Sequence, residues 1–303
     1  MNRREFLTTS LVTGAAGLTF NTISKTSVAA PSHRFGLCFA PHFGTFKCHA
    51  GDDPLDQMKF MADRGFRAVE DVGLRHRPRP LQERIRREAE RHGIQIGLFA
   101  GTADFGNPTF TSGCKADRSR VYGEIRRSVE VAKRTGARWC GVVPGKRDSR
   151  LPMAVQTANT IDALRYCAEL CEPTGLVMVL EPIHHAERGF LRDIRQAYRL
   201  CKAVGSPSCK LLFDVYHQQS ADGKLIESID TFWSEIAYFQ LGDYPGRKEP
   251  GTGNIDYGRL LKHIRQKGFD GLLGMEHGNS QPGKPGELLV IDAYVRHDCL
   301  SSQ

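Results

Sequence analysis

Eight short apolar runs alternate with eight helix-like segments along this chain, and no other feature restricts its fold as much. The runs are Phe35–Ala40, Ala68–Glu70, Gln95–Ala100, Trp139–Val143, Leu176–Leu180, Lys210–Phe213, Ile236–Gln240 and Gly271–Met275. Each has the length of a strand and is apolar nearly throughout, as expected of strands covered on both faces. The segments between them read as helices over Pro54–Arg64, Pro80–His92, Ala116–Thr135, Ala154–Glu172, Asp193–Val204, Lys224–Trp233, Tyr257–Gln266 and Glu287–Leu300. Glycines stop several of these, among them Gly65, Gly93, Gly136 and Gly205,. Strict alternation implies parallel strands joined by helical crossovers. Eight such units in one domain is the number that closes a (β/α)8 barrel. A doubly wound open sheet is the alternative, but no GxGxxG follows the first strand.

A length of 303 residues, 40% hydrophobic and 25% charged, supplies a core for one large domain and argues against disorder,. The formal charge is +8, of which +2 comes from residues 1–30. The rest is spread among both signs without a Lys/Arg block, which fits a small anionic substrate and speaks against nucleic acid. Arg3-Arg4-Glu5-Phe6-Leu7, the apolar run Leu7–Phe20 and the small residues Ser27–Ala30 resemble a twin-arginine export signal,. Residues 1–30 are therefore expected to be removed, leaving a barrel over 31–303 that is periplasmic or otherwise exported. The run is too short and polar for a stable membrane span. Nine cysteines without a CxxC read mostly as small buried hydrophobes,. Export would permit one or two disulfides, and a homo-oligomer is compatible with everything above.

Barrel enzymes carry their reactive groups where strands end. Four successive strands end on Glu181 in LEPIHH, Asp214 in LLFDVYH, Gln240 in YFQLGD and Glu276 in GMEHG. A carboxylate directly after apolar residues is costly to leave unpaired. One shared divalent cation offsets that cost for all of them. Three carboxylates and an amide oxygen favour Mg²⁺ or Mn²⁺ over zinc. Taken singly, any of the acids could instead cap a helix or pair with an arginine. His184, His185 and His217 follow two of these ends. His217 lies three residues after Asp214, so a helical turn would face the two side chains alike, towards a substrate oxygen. The glycine-rich stretch Tyr238–Tyr257 adds Asp243, expected to orient a ligand or a histidine, and Arg247, a fork for a carboxylate or a pair of sugar hydroxyls. Lys146 stands similarly at the exit of the fourth strand. The loop Gly101–Gly113 reads as a lid.

LEPIHH, FDVYHQQ (Phe213–Gln219), FQLGDYPGRKEPGTGNIDY (Phe239–Tyr257) and MEHG (Met275–Gly278) carry a resemblance that spans Phe35 to the C-terminus. They resemble the xylose-isomerase-like TIM-barrel superfamily of sugar isomerases and epimerases, and within it the hydroxypyruvate isomerases. The resemblance implies that Glu181, Asp214, Gln240 and Glu276 ligate one metal ion. It further implies that Glu181 and Glu276 form the acid/base pair and that His217 and Arg247 contact substrate; Lys146 and His185 are added as substrate-binding candidates from their places after strand ends. This chain has Asn254 where the family usually has glutamate and His184 where it usually has asparagine. The expected chemistry is proton transfer beside a carbonyl through a cis-enediolate, as from hydroxypyruvate to tartronate semialdehyde or a related small keto-acid or keto-sugar. Alternatives are an exported keto-sugar 3-epimerase or lyase and, of another class, a non-catalytic sugar-acid binding protein. An endonuclease IV-like phosphodiesterase would need more histidines at strand ends.

Overall fold

Backbone hydrogen bonds join the strands into a ring in the computed structural model, which describes residues 33–184 and 186–301. The strands are β1 (Cys38–Pro41), β2 (Ala68–Val69), β3 (Gln95–Ile96), β4 (Phe99–Ala103), β5 (Trp139–Val143), β6 (Val177–Leu180), β7 (Cys209–Asp214), β8 (Ile236–Gln240) and β9 (Leu272–Met275). Seven form a parallel sheet in the order β1-β9-β8-β7-β6-β5-β4, and β2 pairs with β3. The ring closes through Glu70 N–H to the Pro41 carbonyl at 2.9 Å and Asp71 N–H to the Leu98 carbonyl at 3.2 Å. The fold is the expected (β/α)8 barrel.

The third apolar run is divided into two strands. β3 pairs with β2, whereas β4 pairs with β5 and runs on to Ala103. The bend falls at Gly97, where a Cβ would lie 2.7 Å from the Tyr238 hydroxyl and 3.0 Å from the Val69 carbonyl. Only glycine lets the chain pass there.

The helices are α1 (Lys47–Ala50), α2 (Pro54–Asp63), α3 (Arg79–His92), α4 (Lys115–Thr135), α5 (Met153–Cys171), α6 (Ile194–Val204), α7 (Val215–Ala221), α8 (Leu225–Phe232), α9 (Tyr257–Gln266) and α10 (Gly283–Ser301). Their ends follow local chemistry. The Asp53 and Asp193 carboxylates cap α2 and α6 by accepting backbone N–H bonds, and Gly93, Gly136 and Gly205 close α3, α4 and α6 in left-handed conformations,. The short α1 has no counterpart in the sequence reading, α7 supplies the helical turn considered after Asp214, and α10 begins before Glu287.

One residue from each strand position fills the barrel's interior: Ala40, Ala68, Leu98, Trp139, Val179, Leu212, Tyr238 and Leu272. Side chains alternate along a strand, so the residues two further on also point inward. Those include His42, Glu70, Glu181, Asp214 and Gln240. The pleat therefore aims them at the axis, just above an apolar plug.

The Gly101–Gly113 loop is tied down rather than loose. The Asp104 carboxylate accepts from Gly106 N–H at 2.8 Å and Asn107 N–H at 2.9 Å, and Thr109 Oγ1 donates to the Pro144 carbonyl at 3.1 Å. All nine cysteines are free thiols and five are buried, in line with small hydrophobes; the one or two disulfides that export would permit are not formed in this structure. No helix among the described residues is long and apolar enough to cross a membrane. The expected export signal over residues 1–30 lies outside the described residues.

Candidate active site

Glu181, Asp214, Gln240 and Glu276 converge at the carboxyl ends of β6, β7, β8 and β9. Asp214 and Gln240 are cross-strand partners, and Gln240 pairs in turn with Gly274, two residues before Glu276. Oxygens of Glu181 and Asp214 and a ring nitrogen of His217 lie within 4.8 Å of one another. His217 Nε2 is 3.8 Å from both Glu181 Oε1 and Asp214 Oδ2.

Asp214 divides its two oxygens. Oδ1 accepts from His217 N–H at 2.9 Å and so caps α7, which turns the His217 ring toward the acids,. Oδ2 accepts from Arg247 Nη2 at 3.0 Å, and the same nitrogen is 2.6 Å from Glu276 Oε2. The sequence left open whether such an acid caps a helix, pairs with an arginine or holds a metal; Asp214 does the first two here and keeps geometry for the third.

Burial dominates the electrostatics. Burial first, and then the charge of Asp214, raises the Glu181 carboxyl to about 8, against a partial offset by Arg247,. The same causes push Glu276 well above the carboxylate range. Burial would lower the His42 imidazole, but the charge and hydrogen bond of Glu70 outweigh it and the group rises. His277, next to Glu276, is lowered to about 4 by burial. It is therefore neutral, with Nε2 3.0 Å from the Tyr294 hydroxyl and Nδ1 3.1 Å from the Gly278 carbonyl.

Gln240 is 3% exposed. Its Nε2 donates to Glu70 Oε1 at 2.7 Å, while its buried Oε1 has no hydrogen-bond partner. Buried polar atoms are nearly always paired, so this oxygen calls for a cation or donor. Three carboxylates beside a partnerless amide oxygen are hard donors, and they fit a divalent ion of the Mg²⁺ or Mn²⁺ type.

The charged loop between β8 and α9 is wound around Asp243, which is wholly buried. The Asp243 carboxylate accepts from Gly251, Gly253 and Ile255 N–H at 2.8, 2.9 and 3.2 Å. It therefore orients the loop, not a metal ligand or a histidine as expected from sequence. At Gly253 a Cβ would stand 2.0 Å from the Tyr244 carbonyl, which demands glycine. Glu249 is also buried and clasps Ser280 N–H and Oγ, joining this loop to the one after β9. The result is a held Arg247. Its backbone adopts φ 49°, uncommon for a residue with a side chain, and its N–H donates to the Asp243 carbonyl at 2.7 Å,. Its guanidinium lies 5.0 Å over the Tyr216 ring,.

Two cavities flank the acids. One, about 540 Å³, is lined by His42, Phe43, Arg247, Glu276, His277 and Asn279. The other, about 260 Å³, lies beside His184, Arg192, Asp214 and His217. Lys146 stays partly exposed; its backbone N–H bonds the Asn107 carbonyl at 3.0 Å, and none of the described contacts brings its side chain to the acids. His185 is outside the described residues. Sequence reasoning missed Glu70, His42 and Tyr238. The period-two inward pattern of β1, β2 and β8 was the signal that could have found them.

A family model described as xylose isomerase-like TIM barrel matches residues 58–293. A hydroxypyruvate isomerase of Escherichia coli is 30% identical over 172 residues, 56% of this chain and 66% of that protein. A 2-oxo-tetronate isomerase of Cupriavidus necator is 27% identical over 228 residues, 74% of this chain and 86% of its own. Among solved structures, an AP endonuclease, family 2, of Brucella melitensis superposes with a TM-score of 0.71 at 22% identity, over 82% of this chain and 95% of that one. At that identity the last likeness concerns the fold alone. Given the barrel, the converging strand ends and a matching model over most of its length, this chain belongs to the xylose isomerase-like TIM barrel family.

Proposed function

We propose that this chain is an isomerase that moves a proton between adjacent carbons of a small 2-keto acid or keto-sugar, with one divalent metal ion as cofactor. The isomerase class follows from relatives that are isomerases of hydroxypyruvate and 2-oxo-tetronate. The observation that carries the metal-dependent reading is the partnerless, buried Gln240 Oε1 at the end of β8, among three acids at the ends of β6, β7 and β9. Glu181, Asp214, Gln240 and Glu276 would hold the ion, with His217 close enough to join them. Bound there, a divalent ion supplies Lewis-acid stabilisation of the charge that develops on the substrate's carbonyl and hydroxyl oxygens.

The chain's own groups account for the rest. Glu276 lines the larger cavity and would take the carbon-bound proton beside the carbonyl, leaving a cis-enediolate,. Glu181, raised to about 8, is protonated at neutral pH in the metal-free chain, and its carboxylate lies within 4.8 Å of ligand atoms of Asp214 and His217. Proton delivery to the neighbouring carbon, by either glutamate, with passage of the hydroxyl proton from its oxygen to the former carbonyl oxygen, completes the isomerisation. Arg247, held by Asp243, places a positive fork against the acids, where a substrate carboxylate would also be bound. A site with one acidic metal position and two glutamates also suits a 3-epimerase, which differs only in which face of which carbon is reprotonated. The export signal makes a periplasmic location part of the same proposal.

The test is turnover of hydroxypyruvate and 2-oxo-tetronate with metal removed and restored. Activity lost to a chelator and regained with Mn²⁺ or Mg²⁺ is expected. Undiminished turnover after chelation would reject the metal, and no turnover of any keto acid or ketose would reject the substrate class.

A further inference from the structure

Glu70 is 0% exposed inside the barrel, in the row of inward positions that also holds the acids. Its two oxygens accept the Tyr238 hydroxyl at 2.8 Å and Gln240 Nε2 at 2.7 Å, and His42 Nε2 is 3.2 Å away. The direction of these bonds is fixed. Leu98 N–H donates to the Tyr238 oxygen at 3.3 Å, so the tyrosine proton is free to go to Glu70. Glu70 Oε1 takes its hydrogen bond from the amide nitrogen of Gln240, so the partnerless amide oxygen is the group left for the strand ends, where Gln240 stands between Asp214 and the strand that leads to Glu276,. Space for the carboxylate is also built in. A Cβ on Gly274 would lie 1.8 Å from Glu70 Oε2.

We infer that Glu70 is a positioning residue, which fixes the rotamer of the Gln240 amide so that Oε1 serves the metal and which makes an amide, not a carboxylate, the required partner at position 240. The inference rests on the metal reading proposed above. It also accounts for the identity of the ligand. A carboxylate at 240 has no N–H to offer Glu70 Oε1, which now takes one at 2.7 Å, so two acceptor oxygens would meet there,. Exchanging the two residue types keeps every bond. In Glu70→Gln/Gln240→Glu the introduced amide accepts from Tyr238 and donates to the introduced carboxylate, whose second oxygen faces the site. His42 Nε2, 3.2 Å from the Glu70 oxygen that the introduced amide nitrogen replaces, must then be unprotonated and accept,.

The experiment measures Mn²⁺ affinity by titration followed by electron paramagnetic resonance, with a thermal melt of each metal-free variant to confirm folding. In Glu70→Gln, Tyr238 claims the introduced oxygen, and the introduced amide nitrogen flips Gln240, turning its nitrogen to the metal. A loss of about 10–100-fold in affinity is expected, the usual effect of removing an outer partner of a ligand. Gln240→Glu should also bind weakly, although it adds a charge. The double exchange should restore affinity to the wild-type level or above. Wild-type affinity in Glu70→Gln, or a double variant as weak as its singles, would overturn the role of Glu70. No Mn²⁺ binding by the wild-type chain would overturn the metal centre and this role together. A restored double variant that remains inactive would uphold the role of Glu70 while counting against the proposed reaction.

Discussion

At the scale of single residues, the account turns on Glu276. It borders the larger cavity, and its carboxyl is held well above the ordinary range by burial and by Asp214. Glu276→Gln preserves shape and the pairing with Arg247 but cannot accept a proton from carbon. Turnover should fall by at least about 10²-fold while the melting midpoint is kept, as steady-state kinetics and a thermal melt would report. Wild-type turnover would remove Glu276 from the proton path. The four strand-end residues were legible because each acid or amide follows directly on apolar residues. Glu70 was not. β2 is only two residues long, and Glu70 followed by Asp71 looks like an ordinary charged turn. Its role appears only when alternation is counted from Ala68 and when Gly274 and Tyr238, from strands far along the chain, are placed beside it.

At the scale of elements, the loop after β8 is held by hydrogen bonds to backbone more than by apolar packing. The Asp243 carboxylate satisfies three N–H groups, two of them on glycines. In Asp243→Asn one acceptor becomes a donor facing donors. Leaving such a group unsatisfied costs about 1–3 kcal/mol. The melting midpoint should fall by several degrees, and KM should rise more than kcat falls, because the loop that presents Arg247 loosens while the strands that carry Glu181 and Glu276 are untouched. An unchanged midpoint with unchanged KM would contradict that wiring. The loop's importance was visible in its charge and glycine content. Its wiring was not, because sequence does not say that Asp243 and Glu249 turn inward. The split third strand was hidden for a similar reason. What bends it is the Tyr238 hydroxyl against Gly97, a contact across the barrel.

At the scale of the whole molecule, eight apolar runs and glycine-stopped helices were enough to give the barrel, since both periodicities are local. The charge balance inside it was not legible, because it depends on burial. Glu181 rises from 4.5 to about 8. A carboxyl raised on folding binds more protons folded than unfolded, so its contribution is full below pH about 4.5 and is lost as pH rises toward about 8,. His277, lowered from 6.5 to about 4, acts oppositely but only below about pH 6.5. Metal-free protein should therefore lose stability between about pH 6.5 and 8, by roughly 1–2 kcal/mol for Glu181 alone. Mn²⁺ should reverse the loss, because ligation favours the deprotonated acids. Melting midpoints across that range, with and without Mn²⁺, would check this, and a metal-free midpoint that rises with pH would contradict it. The central claim is proton transfer beside a carbonyl, and proton NMR in D₂O tests it most directly. Mn²⁺-loaded protein would be incubated with hydroxypyruvate and 2-oxo-tetronate, then freed of metal for the spectrum. Deuterium entering at the carbon beside the carbonyl, abolished in Glu276→Gln, is the predicted result. Bound metal and bound keto acid with no deuterium in substrate or product would contradict it.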